Sequence, residues 1–79
     1  MGKIHELKIL PKYFNDIWSG RKNFELRKND RGFNIGDTLI LKGFEDGDYT
    51  GDALEVVVTY ILFGGEYGLD NDYVILGIE

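Results

Sequence analysis

The sequence predicts an α+β domain, built as a small, mostly antiparallel β-barrel of five to six short strands with one short helix. Three observations point there. Apolar residues recur at alternate positions in several short runs, the pattern of half-buried strands. Only one stretch, from Pro11 to Gly20, spaces its apolar residues for a helix instead. The turns between runs are dense in Gly, Asn and Asp, with 11 glycines in 79 residues, as closely connected strands require. A chain of this length holds one core, burying about 60% of the surface that its unfolded form exposes, so residues 1–79 are read as a single domain.

The first strand is expected over Ile4 to Leu10, with His5, Leu7 and Ile9 on one face and Ile4, Glu6 and Lys8 on the other. It stops before Pro11, which suits the first position of a helix. Phe14, Ile17 and Trp18 form that helix's apolar stripe, and Trp18 reads as a core plug rather than a stacking platform. Gly20 ends the helix where a left-handed residue is common. Asn23 to Lys28 is the second strand, Asn29 to Gly32 and Asn34 to Asp37 are turns, and Thr38 to Lys42 is the third strand. Glu45 to Asp52 is an acidic hairpin loop, read as a solvated turn. Ala53 to Phe63 is the longest strand, with Leu54, Val56, Val58, Tyr60 and Leu62 on one face and Val57, Ile61 and Phe63 on the other. Two apolar faces predict a central strand or barrel stave covered on both sides. Gly64 to Asp72 is a loop long enough to close over a ligand, with Tyr67 to stack and Glu66 as an acid or base. Tyr73 to Ile78 completes the sheet.

Chemistry concentrates between Gly20 and Arg31. Five of the nine basic residues lie there: Arg21, Lys22, Arg27, Lys28 and Arg31. Period two puts Phe24 and Leu26 on one face, expected to meet the core, and Asn23, Glu25 and Arg27 on the other, expected to make contacts. The plain reading of that polar face is a Glu–Arg pair on a sheet surface, which adds little to stability. The sharper one is a set of donors able to surround a phosphate or a polarised carbonyl. The partial negative charge at the helix end favours Arg21 and Lys22 as cations, which suits an electrostatic clamp. His5, alone on an apolar face, reads first as a satisfied structural residue and only then as a catalytic acid.

Composition excludes several classes. With no cysteine and one histidine, neither a disulfide framework nor a protein-bound transition metal is expected, and no cofactor is implied. Asp70 and Asp72 begin like a calcium loop, but the sixth position is Ile75 rather than glycine, so that site is rejected. No apolar run approaches the roughly 20 residues of a membrane span and no signal peptide opens the chain, so the expectation is a soluble cytoplasmic protein with no membrane partner. The net charge of -5 argues against coating nucleic acid by bulk electrostatics. Its distribution is uneven: residues 1–42 hold all nine basic residues and five acids, whereas residues 43–79 hold nine acids and no base. An anionic ligand is therefore expected on the first half, provided the fold does not interleave the two.

Gly20-Arg21-Lys22-Asn23-Phe24-Glu25-Leu26-Arg27 resembles the G-x-K-x-x-E-x-R signature of the ASCH domain, a relative of the PUA RNA-binding fold. His5-Glu6-Leu7-Lys8, Pro11-Lys12-Tyr13-Phe14, Asn29-Asp30-Arg31 and Gly36-Asp37 extend the likeness to a small bacterial and phage-associated ASCH-like family of uncharacterised function. The resemblance implies a PUA-like fold and RNA binding in a cleft beside the helix. Some relatives are enzymes, an N4-acetylcytidine amidohydrolase and a ribonuclease among them. The amidohydrolase branch carries a threonine nucleophile three positions after the lysine that aligns with Lys22. Glu25 stands at that position here, so that route is missing its nucleophile.

Two functions from different classes follow. The first is a binding module for RNA or a nucleotide, with Arg21, Lys22, Arg27, Lys28, Asn29 and Arg31 contacting the ligand and His5 or Tyr67 stacking on a base. The second is a small hydrolase of a modified nucleoside or of RNA, with Glu25 as general base, Lys22 as oxyanion stabiliser and His5 as acid. The second requires Glu25 to be free rather than locked in a pair. A third reading, a protein-binding adaptor using the acidic half, has no partner specified, and nothing fixes the oligomeric state.

Overall fold

Pro11 and Gly20 bound the helix for opposite reasons, one unable to donate a main-chain hydrogen bond and the other free to turn left-handed. The computed structural model describes residues 2–79. Strand β1 spans Ile4–Ile9 and helix α1 spans Pro11–Trp18. Gly20 has φ +82°, and the Gly20 and Arg21 amides donate to the carbonyls of Ile17 and Asp16, a Schellman closure that turns the chain toward β2, Phe24–Lys28. Strands β3 (Thr38–Glu45) and β4 (Asp48–Phe63) form a hairpin, and β5 spans Tyr73–Ile78.

The five strands form one mixed sheet in the order β1-β3-β4-β5-β2. The β1–β3 ladder is parallel and the other three are antiparallel. The α+β class and the mostly antiparallel sheet agree with the sequence. The main-chain ladders end at β1 and β2, so the sheet is not closed by hydrogen-bonded strands.

The core draws Leu7 and Ile9 from β1, Leu39 and Leu41 from β3, Val56 and Val58 from β4, and Val74, Leu76 and Ile78 from β5. Phe14 and Ile17 of α1 cover it, packed against β3 and β4, and Phe33 completes it. Burying each of these larger side chains stabilises the fold by about 1.5–3 kcal/mol before the cost of ordering the chain.

Strand β2 gives this core no apolar residue, and here the expected facing is reversed. Glu25 is only 3% exposed, whereas Phe24 and Leu26 are 44% and 51% exposed. The cause is register. Glu25 pairs with Leu76 and Arg27 with Val74, both inward on β5, while Phe24 and Leu26 pair with the outward Gly77 and Ile75. The Ile78 amide bound to the Asn23 carbonyl and the Asn29 amide bound to the Asp72 carbonyl pin both ends of that pairing, and a one-residue slip would turn every side chain over.

Three further expectations change. The expected loop from Glu45 to Asp52 is mostly strand, with its turn at Asp46-Gly47. Trp18 is not a core plug: it lies 69% exposed, its ring parallel to that of Phe14 at 6.3 Å between centroids. The long strand is central in the sheet but covered on one side, since Val57 and Tyr60 are exposed. A bulge between Val58 and Tyr60 also breaks its alternation, so Tyr60 and Leu62 face outward and Ile61 packs against the core. Among the described residues no helix is long and apolar enough to cross a membrane.

Candidate functional site

The two strands of the basic half stand at opposite ends of the sheet order, yet side chains join them. Lys3 uses its carbonyl on Thr38, and carbonyls along a strand alternate between its two edges, so those of Glu6 and Lys8 point to the open edge of β1. Arginines from the other side reach them. Arg27 Nη2 donates to the Lys8 carbonyl at 2.9 Å, and Arg31 Nη1 donates to the Glu6 carbonyl at 3.2 Å. The curled sheet is thus laced across its open seam by two guanidinium groups.

Glu25 fixes the first of these. Its Oε2 accepts from Arg27 Nε at 2.9 Å and its Oε1 from Lys22 Nζ at 2.6 Å. The carboxylate is buried while both cations keep partial exposure, so negative charge is held inside and positive charge lies at the surface. Lys22 Nζ also stands 5.3 Å from the Tyr13 ring centroid and 4.9 Å from that of Phe24, within range of attraction to both ring faces.

Three cavities touch Arg27, two of them along the seam. One, about 500 Å³, is lined by Tyr13, Lys22, Phe24, Glu25 and Arg27 together with Lys8 to Leu10. The other, about 400 Å³, is lined by Glu6, Lys8, Arg27, Arg31, Lys42 and Tyr49. Along the seam five basic side chains, Lys8, Lys22, Arg27, Arg31 and Lys42, meet two carboxylates, Glu6 and Glu25. Glu6 is itself paired with Lys42, whose hydrogen bond and charge hold its carboxyl below the ordinary value. Lys8 Nζ lies 4.4 Å from the Phe44 ring centroid, which leaves its charge on the cavity rim. In a chain of net charge -5, this seam gathers five cations around two carboxylates, both of which are paired.

Residues 4–78 match the family described as a domain of unknown function, DUF3850. The chain belongs to that family. It is also 41% identical over 76 residues to the uncharacterized 12.9 kDa protein in the GpA 3'region of Escherichia phage P2, the alignment covering 96% of this chain and 68% of the phage protein. The DUF3850 match takes in both strands of the seam and the helix beside it.

Within this DUF3850 domain the predicted site residues divide. Lys22, Glu25, Arg27 and Arg31 come together at the seam. Lys28 lies at its far end, where a small cavity also touches Arg31 and Phe33. Arg21 is exposed just past the helix, and Asn29 is exposed where its amide binds the Asp72 carbonyl. Tyr67 is 96% exposed at φ +52°, in a loop that meets Asn29 just past β2 and lines neither seam cavity, and Glu66 is likewise exposed.

His5 is elsewhere and is neither an exposed stacking ring nor an acid at the seam. Its Nε2 is 2.8 Å from Asp37 Oδ2, both groups are buried, and its ring packs on Phe33 at 4.8 Å. Asp37 also accepts the main-chain amides of Lys3 and Asn34. Burial pushes its carboxyl up, but His5 and those two amides outweigh burial and hold it below the ordinary 3.8. This cluster ties the start of β1 to the turn before β3.

Sequence reasoning missed Tyr13, Lys8, Lys42 and Tyr49 at the seam, and Asp37 in the interior. A signal existed for Asp37, because a histidine on the inward face of β1 needs a polar partner. None existed for Lys8 and Lys42, which meet only through the parallel pairing of β1 with β3.

Proposed function

We propose that this domain is an ASCH-like, PUA-like module that binds RNA or a nucleotide through its phosphates at the β1–β2 seam, in the cytoplasm. In this reading the curled sheet is a barrel whose last joint is made by side chains and serves as the cleft. The observation that carries it is the state of Glu25. Both carboxylate oxygens are occupied by cations, so the residue positions Lys22 and Arg27 instead of activating water. The hydrolase alternative keeps one point in its favour, because Lys22 and Glu25 line the same cavity. Against it, Glu6 and Glu25, the carboxylates of the two seam cavities, are both paired with cations, and His5 is spent on Asp37.

The test is a salt titration of affinity for a fluorescein-labelled single-stranded RNA octamer. The logarithm of the binding constant should fall linearly with the logarithm of salt concentration, and Lys22→Ala or Arg31→Ala should each reduce the slope by about 0.7. Binding that ignores salt and both substitutions would remove the proposal. Cleavage of the octamer or deacetylation of N4-acetylcytidine, abolished by Glu25→Gln in a folded protein, would install the hydrolase in its place.

A further inference from the structure

The reversal of β2 leaves an apolar surface on the outside of the sheet that the seam does not use. Register aligns Phe24, Gly77 and Tyr60 side by side on β2, β5 and β4, and the next row is Leu26, Ile75 and Leu62. Tyr60 is 63% exposed, and Gly77 leaves the floor between the two rings without a side chain. A Cβ at Gly77 would come within 3.2 Å of Tyr60 Cβ and Thr59 Oγ1, so glycine also lets the bulged strand approach. A cavity of about 740 Å³ is lined by Phe24, Gly77 and Tyr60 of this row and by Ile17, Val56 and Ile78 from the core side, and Lys22 and Phe24 line both it and the neighbouring seam cavity. These two residues join the outer surface to the basic seam.

Cations mark its ends. Lys22 stands beside Phe24, and beyond the second row Lys28 pairs with Tyr73. Glu79, whose main chain is paired with Val57, is the one carboxylate lining the cavity, at the same end as Lys22. An aromatic face alone suits any flat apolar group. Aromatic rings that continue into five cations select a ligand that carries flat rings and anionic groups in alternation, which is the chemistry of an unpaired nucleic acid strand.

We propose that the Phe24–Gly77–Tyr60 row is a stacking platform for unpaired bases of a single-stranded nucleic acid whose phosphates run into the seam. The placement of the phosphates rests on the proposed function; the platform itself is a separate surface with a separate test. Affinities of the wild type, Tyr60→Ala, Phe24→Ala and Arg31→Ala are measured by fluorescence anisotropy for a labelled oligouridine octamer, its deoxy counterpart and an abasic octamer of the same length. Melting curves establish that each variant is folded, as exposed positions allow.

The platform predicts that wild type binds the octamer more tightly than the abasic strand, and that Tyr60→Ala weakens the octamer about 10-fold while leaving the abasic strand unchanged. Arg31→Ala should weaken both strands alike. Equal binding of base-bearing and abasic strands, unaffected by Tyr60→Ala, overturns the platform and leaves the seam standing. Loss with Tyr60→Ala but not with Arg31→Ala or salt keeps the platform and removes the seam. No binding of any strand overturns both. Sedimentation at the same concentrations covers the rival occupant: a dimer broken by Tyr60→Ala and indifferent to the octamer would make this face a self-association surface. Comparing the ribo and deoxy strands identifies which source of the shared chemistry the domain prefers.

Discussion

Strands β1 and β2 stand at the two edges of the same sheet, are nearly equal in length, and obey opposite rules. On β1 the apolar set Leu7 and Ile9 turns inward with one polar residue, His5. On β2 the polar set turns inward, with Glu25 buried and Phe24 and Leu26 outside. Each strand therefore buries one ionisable residue, and each neutralises it from another part of the chain. His5 is met by Asp37 from a neighbouring turn, and Glu25 by Lys22 and Arg27, which then reach β1. Alternation defines the two faces of an edge strand; which face goes inside depends on who can satisfy it. The polar choice turns β2 into a carrier of cations at the seam.

Substitutions at matched positions break this contrast by graded amounts. Leu7→Ala, in the packed face of β1, should cost about 3 kcal/mol in thermal or urea unfolding. Glu25→Ala should cost somewhat less, about 2–3 kcal/mol, because it strands two cations that retain partial access to water. Replacing Lys22, Glu25 and Arg27 together by Met, Leu and Met should cost less than the Glu25 change alone, since no unpaired charge then remains. An equal or larger loss for the triple variant would mean that the cluster itself stabilises the fold.

The β1 counterpart responds to pH. Asp37 is depressed below 3.8 in the folded state, so its contribution is present above that value and lost as pH falls through the depressed value. Asp37→Asn should be less stable at neutral pH and should lose less stability than wild type as pH falls below 3.8. Identical acid limbs would refute the buried role. The smallest effect belongs to the outer face of β2, where Leu26→Thr should stay within about 0.5 kcal/mol, against the large cost at Leu7.

These differences mark how far the sequence could be read. Pro11 and Gly20 announce the helix because each acts through its own backbone, and the alternation on β1 is clear because its inward set is apolar. The four positions of the seam that were foreseen lie within ten consecutive residues, where local pattern suffices. The facing of β2 was not legible, since Phe24 and Leu26 look like core residues until β5 sets their register through Leu76 and Val74. Trp18 misled for a similar reason: its place on the helical stripe is local, but Phe14 and Ile17 already fill the space above β3 and β4. Lys8 and Lys42 required the parallel β1–β3 pairing, a contact between distant segments.

The central claim is that Glu25 holds cations in place for an anionic ligand at the seam. The most direct test is a ¹⁵N NMR titration of the protein with an oligouridine octamer, following the Arg27 and Arg31 Nε–Hε signals together with the backbone amides. The account predicts saturable shifts at Arg27, Arg31 and Lys22 that weaken as salt is raised, with no change in the RNA. Signals at the seam that stay fixed, while amides of the acidic β3–β4 hairpin move or the RNA is consumed, would contradict it.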